Sequence, residues 1–188
     1  YIPGGYAVVM NPKTGGIYAL AGVNRDLSTG KVTENALGTI NQTFVMGSVV
    51  KGAMVMGALK DGVITPTNNT LLEEPIKLAG TAAKTSWFNK TGAANMSLTA
   101  ADALQVSSNT YMMKLAMLEG GFKYTSGAAL NLPTSIFDKL RQNFKQYGLG
   151  VKTGIDIPGE ASGFEGAADQ SHIGNALDLS FGNYDAYT

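Results

Sequence analysis

Two apolar runs open the chain, Tyr6 to Met10 and Ile17 to Ala21, separated by Asn11-Pro12-Lys13-Thr14-Gly15-Gly16. Proline and glycine between such runs supply turn chemistry, so the segment reads as a β-hairpin. Residues 22–43 are polar and irregular, and read as a surface excursion. From Gly47 the spacing becomes helical. Val49, Val50, Ala53, Met54, Ala58 and Leu59 form one stripe, with Asp61-Gly62 as its stop. Residues 63–96, rich in Thr, Asn, Gly and Pro, read as a long loop with short strands. A second helix is expected from Ser97 or Thr99, where Thr99 and Asp102 resemble a capping box, carrying Leu98, Ala101 and Leu104. Ser107-Ser108-Asn109 interrupts it with residues that favour caps and turns. A third helix then runs through Tyr111, Met112, Leu115 and Leu118 to Gly120-Gly121. A fourth follows Pro133-Thr134-Ser135, with Ile136, Phe137, Leu140, Phe144 and Tyr147 on one face and Gly148 as cap. The methionine and aromatic stripes read as core.

Composition narrows the chemistry. The 188 residues fit one domain, and 44% apolar content with 15% charged residues is enough to bury a core. Fourteen basic and fourteen acidic residues, scattered singly, give a net charge of zero. No basic stripe suggests nucleic acid. There is no cysteine and one histidine, His172, which excludes disulfides, thiolate sites and multi-histidine metal sites. His172 follows Asp169-Gln170-Ser171 in a polar stretch, has no obvious acid partner in the sequence, and reads as a surface residue. Trp87 reads as buried beneath its loop, with a place in a cleft as the alternative. No apolar run is long enough to cross a bilayer and no signal peptide is present, while both ends read as cut from something longer.

A serine hydroxyl needs a partner to take its proton, and with one histidine and no cysteine the candidate is lysine. Ser48-Val49-Val50-Lys51 places a hydroxyl and an amine on one helical face. Burial among Val49, Val50 and Met54 would lower the lysine pKa enough for it to act as a base. The pattern alone is weak, since roughly one Ser-x-x-Lys is expected in a chain of this length. Ser28-Thr29-Gly30-Lys31 is a second copy, and its polar, glycine-containing turn marks it as surface. Ser107-x-Asn109 is the one Ser-x-Asn in the chain; its serine could relay a proton and its amide could hold base and substrate. The same residues also read simply as helix caps.

The order Ser48-x-x-Lys51, about 55 residues of loop and helix, then Ser107-x-Asn109 between two helices resembles the serine acyl-transferases that bind penicillin. Residues 6–20, Gln105-Val106-Ser107-Ser108-Asn109-Thr110-Tyr111-Met112 and the run from Tyr147 to Glu160 are similar to class B penicillin-binding proteins of Gram-positive bacteria. The resemblance covers nearly the whole chain. It implies an α+β transpeptidase fold shared with serine β-lactamases, here a helical cluster plus the first strands of an antiparallel sheet. Residues 1–188 would be a partial domain whose C-terminal strands are missing.

For function, the resemblance implies a D,D-transpeptidase that cross-links peptidoglycan stem peptides and is the target of β-lactam antibiotics. Ser48 would be the acylated nucleophile, Lys51 its base, Ser107 a proton relay and Asn109 the substrate-positioning residue. No metal or organic cofactor is implied. The parent would sit on the extracytoplasmic face of the membrane, anchored by an N-terminal helix absent from this chain, beside other cell-wall synthesis proteins.

The family needs a third element, Lys-Thr/Ser-Gly, on a strand. The tripeptide occurs as Lys13-Thr14-Gly15, Lys90-Thr91-Gly92 and Lys152-Thr153-Gly154. The first two are out of order. The third runs into Ile155-Asp156-Ile157-Pro158-Gly159-Glu160, which matches a connecting segment of the family, and Pro158-Gly159 would stop a strand at once. The true motif is therefore expected beyond Thr188, which predicts an impaired catalyst with an unpaired sheet edge. Two rivals remain: a β-lactam hydrolase or sensor using Glu160 or Glu165 as base, and a non-catalytic wall-synthesis scaffold.

Overall fold

The computed structural model describes residues 2–188. Its elements in chain order are β1 (Gly4–Met10), β2 (Ile17–Arg25), β3 (Val32–Glu34), α1 (Gly38–Asn41), β4 (Phe44–Val45), α2 (Lys51–Lys60), β5 (Leu71–Glu73), β6 (Met96–Leu98), α3 (Ala100–Gln105), α4 (Asn109–Glu119), α5 (Ser135–Lys145), α6 (Asn175–Leu179) and β7 (Ala186–Tyr187). Single 3₁₀ turns occupy Gly47–Val50 and Gln170–His172. The residues form two compact units.

One unit comprises residues up to Phe44, Leu149–Phe164 and Ala186–Thr188. Its antiparallel sheet has the order β1-β2-β3. The expected hairpin is present, in register Tyr6↔Gly22 and Val8↔Leu20, and its turn closes through Asn11 N to Gly16 O at 2.8 Å. Residues 22–43 are more regular than their polarity suggests. β2 continues to Arg25, β3 returns beside it, and α1 follows. The turn between them closes on Asp26, whose carboxylate accepts the Ser28 hydroxyl and amide at 2.6 and 2.8 Å. Among the described residues β1 has no strand on its outer side. Val8, Val9, Met10 and Tyr18 stand exposed, and a cavity of about 960 Å³ opens among Met10, Ile17, Leu20, Ile40, Ile155 and Ile157. Lys152-Thr153-Gly154 lies in no strand, and the Thr153 hydroxyl donates to Glu160 at 2.6 Å.

The other unit comprises Val45–Gly148 and Glu165–Asp185. α4 is its core, burying Tyr111, Met112, Met113, Leu115, Ala116 and Met117. Ala53, Met54, Val55 and Ala58 of α2, Ile136, Phe137, Leu140 and Phe144 of α5, and Ala176, Leu177 and Leu179 of α6 complete that core. Burying a side chain of this size contributes about 1.5–3 kcal/mol, so the helices are held by packing more than by propensity. Thr99 caps α3 in the expected capping box with Asp102. Three details differ from the sequence pattern. α3 buries Ala103 while Ala101 and Leu104 are exposed, and Tyr147 falls exposed beyond the end of α5. Val49 is 75% exposed, because residues 47–50 wind as a 3₁₀ turn and shift the stripe's phase.

Polar ties fix the late segments of this unit. The buried Arg141 donates Nε and a terminal nitrogen to the two oxygens of Asp185 at 2.8 and 2.9 Å. Lys84 pairs with Asp178 of α6 at 2.6 Å. Removing one partner of a buried pair such as Arg141–Asp185 costs about 3–5 kcal/mol, so these residues hold 165–185 in place.

Candidate active site

Ser48 lies in the 3₁₀ turn, exposed, one turn ahead of α2. The turn is set by Gly47, whose φ of 58° lies in the left-handed region that favours glycine. Gly47 N donates to Gly182 O at 2.9 Å. Gly182 has φ 87°, and a Cβ there would sit 2.0 Å from Gly47 O, so this approach also requires glycine. Lys51 opens α2 and is 2% exposed.

The loop between α3 and α4 meets them. Ser107 is the one non-glycine residue at positive φ (55°) among the described residues, a strained setting for an L-residue. There its carbonyl accepts from Lys51 Nζ at 2.8 Å and its Oγ at 3.0 Å. Asn109 Oδ1 accepts from the same Nζ at 2.6 Å. Ser48 Oγ lies 2.9 Å from Ser107 Oγ. The four residues singled out by sequence thus stand in one hydrogen-bonded cluster. The Ser48 contact runs to Ser107, which bridges hydroxyl and amine, in place of the side-by-side Ser48–Lys51 arrangement that helical spacing suggests.

Burial pushes the Lys51 ammonium down from 10.5 to about 8, with the negative charge of Glu73 acting in the opposite direction. An amine of that pKa holds a neutral fraction near neutral pH. It can then donate to the Ser107 carbonyl and Asn109 while turning its lone pair to Ser107 Oγ. The arrangement can move a proton from the Ser48 hydroxyl through Ser107 to Lys51. The Ser48 hydroxyl faces solvent, where a substrate can approach it.

Sequence reasoning missed the layer behind this cluster. Glu73, at the end of β5, is fully buried. Its carboxylate accepts from Thr110 Oγ1 at 2.6 Å, from Ser86 Oγ at 3.1 Å, from Ser108 Oγ and, at 3.4 Å, from Asn89 Nδ2. A weak signal existed: Glu73 shares a strand face with Leu71, so strand alternation places an acid among partly buried residues.

Two other readings change. Trp87 is 68% exposed, not buried; its indole N–H needs a partner and finds the Val106 carbonyl at 2.9 Å, which holds the ring outward beside the Ser107 loop. His172 does have an acid neighbour: Nδ1 lies 2.8 Å from Asp169 Oδ1 within one exposed turn. That contact caps the turn locally. Ser28 is a surface residue, as expected, with its hydroxyl given to Asp26. Of the two rival bases, Glu165 is ion-paired with Lys145 at 2.8 Å and Glu160 receives Thr153.

This fold and serine–lysine cluster define a class, and comparison with known proteins agrees with it. Residues 5–188 match the penicillin binding protein transpeptidase domain. The chain is 38% identical over 190 residues to penicillin-binding protein 2B of Streptococcus pneumoniae, covering 100% of itself and 27% of that protein. It is 39% identical to penicillin-binding protein 2A of Bacillus subtilis, covering 97% of itself and 25% of the relative. The solved structure of penicillin-binding protein 2B from Streptococcus pneumoniae strain R6 superposes with a TM-score of 0.91 at 39% identity, over 99% of this chain and 30% of that one. The chain belongs to the penicillin-binding protein transpeptidase family, and spans about a quarter of the length of these relatives.

Proposed function

We propose that the protein carrying this chain is a serine-type D-Ala-D-Ala transpeptidase that cross-links peptidoglycan stem peptides and is acylated by β-lactams at Ser48. The observation that supports it most is the unbroken contact from Ser48 Oγ through Ser107 Oγ to Lys51 Nζ, at 2.9 and 3.0 Å. Ser48 Oγ attacks the carbonyl carbon of the penultimate D-alanine. The C–O bond forms, and the serine proton passes through Ser107 to Lys51. The C–N bond then breaks as that proton returns to the departing D-alanine nitrogen. An amine of a second stem peptide next attacks the ester and gives up its proton, which goes back to Ser48 as the C–O bond breaks. Asn109 holds Lys51 and takes a substrate carbonyl with its amide nitrogen. A β-lactam opens by the same first step, but its amine stays tethered and hinders the second. The Ser48 amide would supply half of the oxyanion hole.

On this reading residues 1–188 are the leading part of the domain. Further strands, carrying the Lys-Thr/Ser-Gly element and the other oxyanion donor, would cover the exposed apolar faces of the hairpin. The substrates place the protein on the extracytoplasmic face of the membrane, beside other wall-synthesis proteins. No described helix is long and apolar enough to cross a membrane, so an anchor would belong to another segment. No metal or organic cofactor takes part.

Intact-mass measurement of the full-length protein after exposure to benzylpenicillin, with peptide mapping, tests the proposal. One stable adduct on Ser48, absent in Ser48→Ala, is the expected result. A folded protein that gains no adduct would overturn it, and rapid β-lactam turnover would favour the hydrolase.

A further inference from the structure

Three hydroxyls converge on Glu73, and each can donate only one proton. Ser86 Oγ already accepts the Asn109 and Thr110 amides at 2.9 and 3.2 Å, so its proton is left for the carboxylate. Ser108 Oγ accepts the Tyr111 amide at 3.0 Å as N-cap of α4, and likewise gives its proton to Glu73. Thr110 does the same from the first turn of α4. One buried acceptor therefore orients the hydroxyls that take the first amides of α4. That start carries Asn109 and follows directly on the strained Ser107.

The charge of Glu73 matters as well as its shape. Its neighbours are the neutral Ser86, Asn89, Ser108 and Thr110, while the adjacent Glu74 is held separately by Lys114 at 2.6 Å. The groups touching Lys51 Nζ are the neutral Ser107 and Asn109. Glu73 stands directly behind them, since Ser86 takes the Asn109 amide and donates to Glu73, and its negative charge favours the protonated lysine.

We propose that Glu73 is a positioning residue for acylation, locking Ser107 and Asn109 onto Lys51 and serving as the fixed counter-charge of that lysine. The inference rests on the function proposed above. Glu73 touches neither the nucleophile nor the approach to it, so it acts only through the residues it holds.

The test measures the second-order rate of labelling by a fluorescent penicillin against pH, in the full-length protein, for wild type, Glu73→Gln and Glu73→Ala. Glutamine can keep its oxygen toward the three hydroxyls, which all meet Oε2; it removes the charge and the long Asn89 contact, and Asn89 keeps its bond to Asn95 at 3.0 Å. Lys51 then loses its proton more easily, and the rising limb of the profile should move about one pH unit toward acid. The plateau should stay within about threefold of wild type, since the three hydroxyls keep their acceptor. Alanine strands three buried hydroxyls, and its plateau should fall by a factor of ten or more. A Glu73→Gln profile that superimposes on wild type overturns the inference, as does a folded Glu73→Ala protein that labels at the wild-type rate. If Glu73→Ala does not fold, the Glu73→Gln limb alone decides. Wild-type protein that takes no label at Ser48 instead overturns the function on which the inference stands.

Discussion

Ser28-Thr29-Gly30-Lys31 closes a hairpin turn, whereas Ser48-Val49-Val50-Lys51 leads into a core helix, and the shared pattern ends in different chemistry. In the first, Gly30 takes φ 74° and breaks any helical face that serine and lysine could share. The Ser28 hydroxyl donates at 2.6 Å to Asp26, which its hydrogen bonds from Ser28 and Thr29 hold down to about 2. Its proton is committed to a carboxylate, and the lysine stays in water. In the second, two valines carry the backbone into α2, Lys51 is buried, and Ser107 and Asn109 arrive from another loop to meet it. The spacing sets serine and lysine one turn apart; burial and the second loop join them, through Ser107, in one hydrogen-bonded cluster.

The largest expected contrast is kinetic. Lys51→Met should slow labelling of the full-length protein by a fluorescent penicillin by about 10²–10⁴-fold, the usual contribution of a general base. Lys31→Met should leave the rate unchanged. Equal effects would erase the distinction between the two turns.

A smaller contrast concerns stability against pH. The Lys51 pKa is lowered in the folded chain from 10.5 to about 8. Below pH 8 both states are protonated, and the folded state bears the full cost of a buried ammonium. Between 8 and 10.5 the folded state releases its proton while the unfolded state keeps it, so stability rises, by roughly 3 kcal/mol over that window. Urea denaturation at a series of pH values should show this rise in wild type and Lys31→Met, and lose it in Lys51→Met.

The smallest contrast separates the two turn glycines. Gly30→Ala and Gly47→Ala each force an L-residue into the left-handed region, at about 1–2 kcal/mol. Thermal melts should show similar losses for both. Only Gly47→Ala should also slow labelling, because it alone shifts Ser48.

Much of this was legible from local patterns. The hairpin, the capping box at Thr99 and the stripes of α4 and α5 each express a period or cap within a few residues. The candidate cluster was legible in membership through the order of its motifs and the family resemblance, since Ser-x-x-Lys and Ser-x-Asn are each weak alone. Its wiring was not, because the Ser107 bridge depends on a left-handed residue that no serine announces. Glu73 was hidden for a related reason. Only a three-residue strand alternation sets it apart from Glu74, yet one is buried among hydroxyls from distant segments and the other pairs with Lys114. Trp87 misled through its size, since a large apolar ring suggests burial while one indole N–H turned it to the surface.

The contact between Gly47 and Gly182 has a bearing on biosynthesis. A ribosome releases the turn that carries Ser48 long before it releases Gly182, whose carbonyl accepts the Gly47 amide. Until the later stretch emerges and folds back, the turn that carries Ser48 lacks this anchor. On the proposed function, penicillin labelling of the full-length protein would count matured molecules and pass over nascent ones.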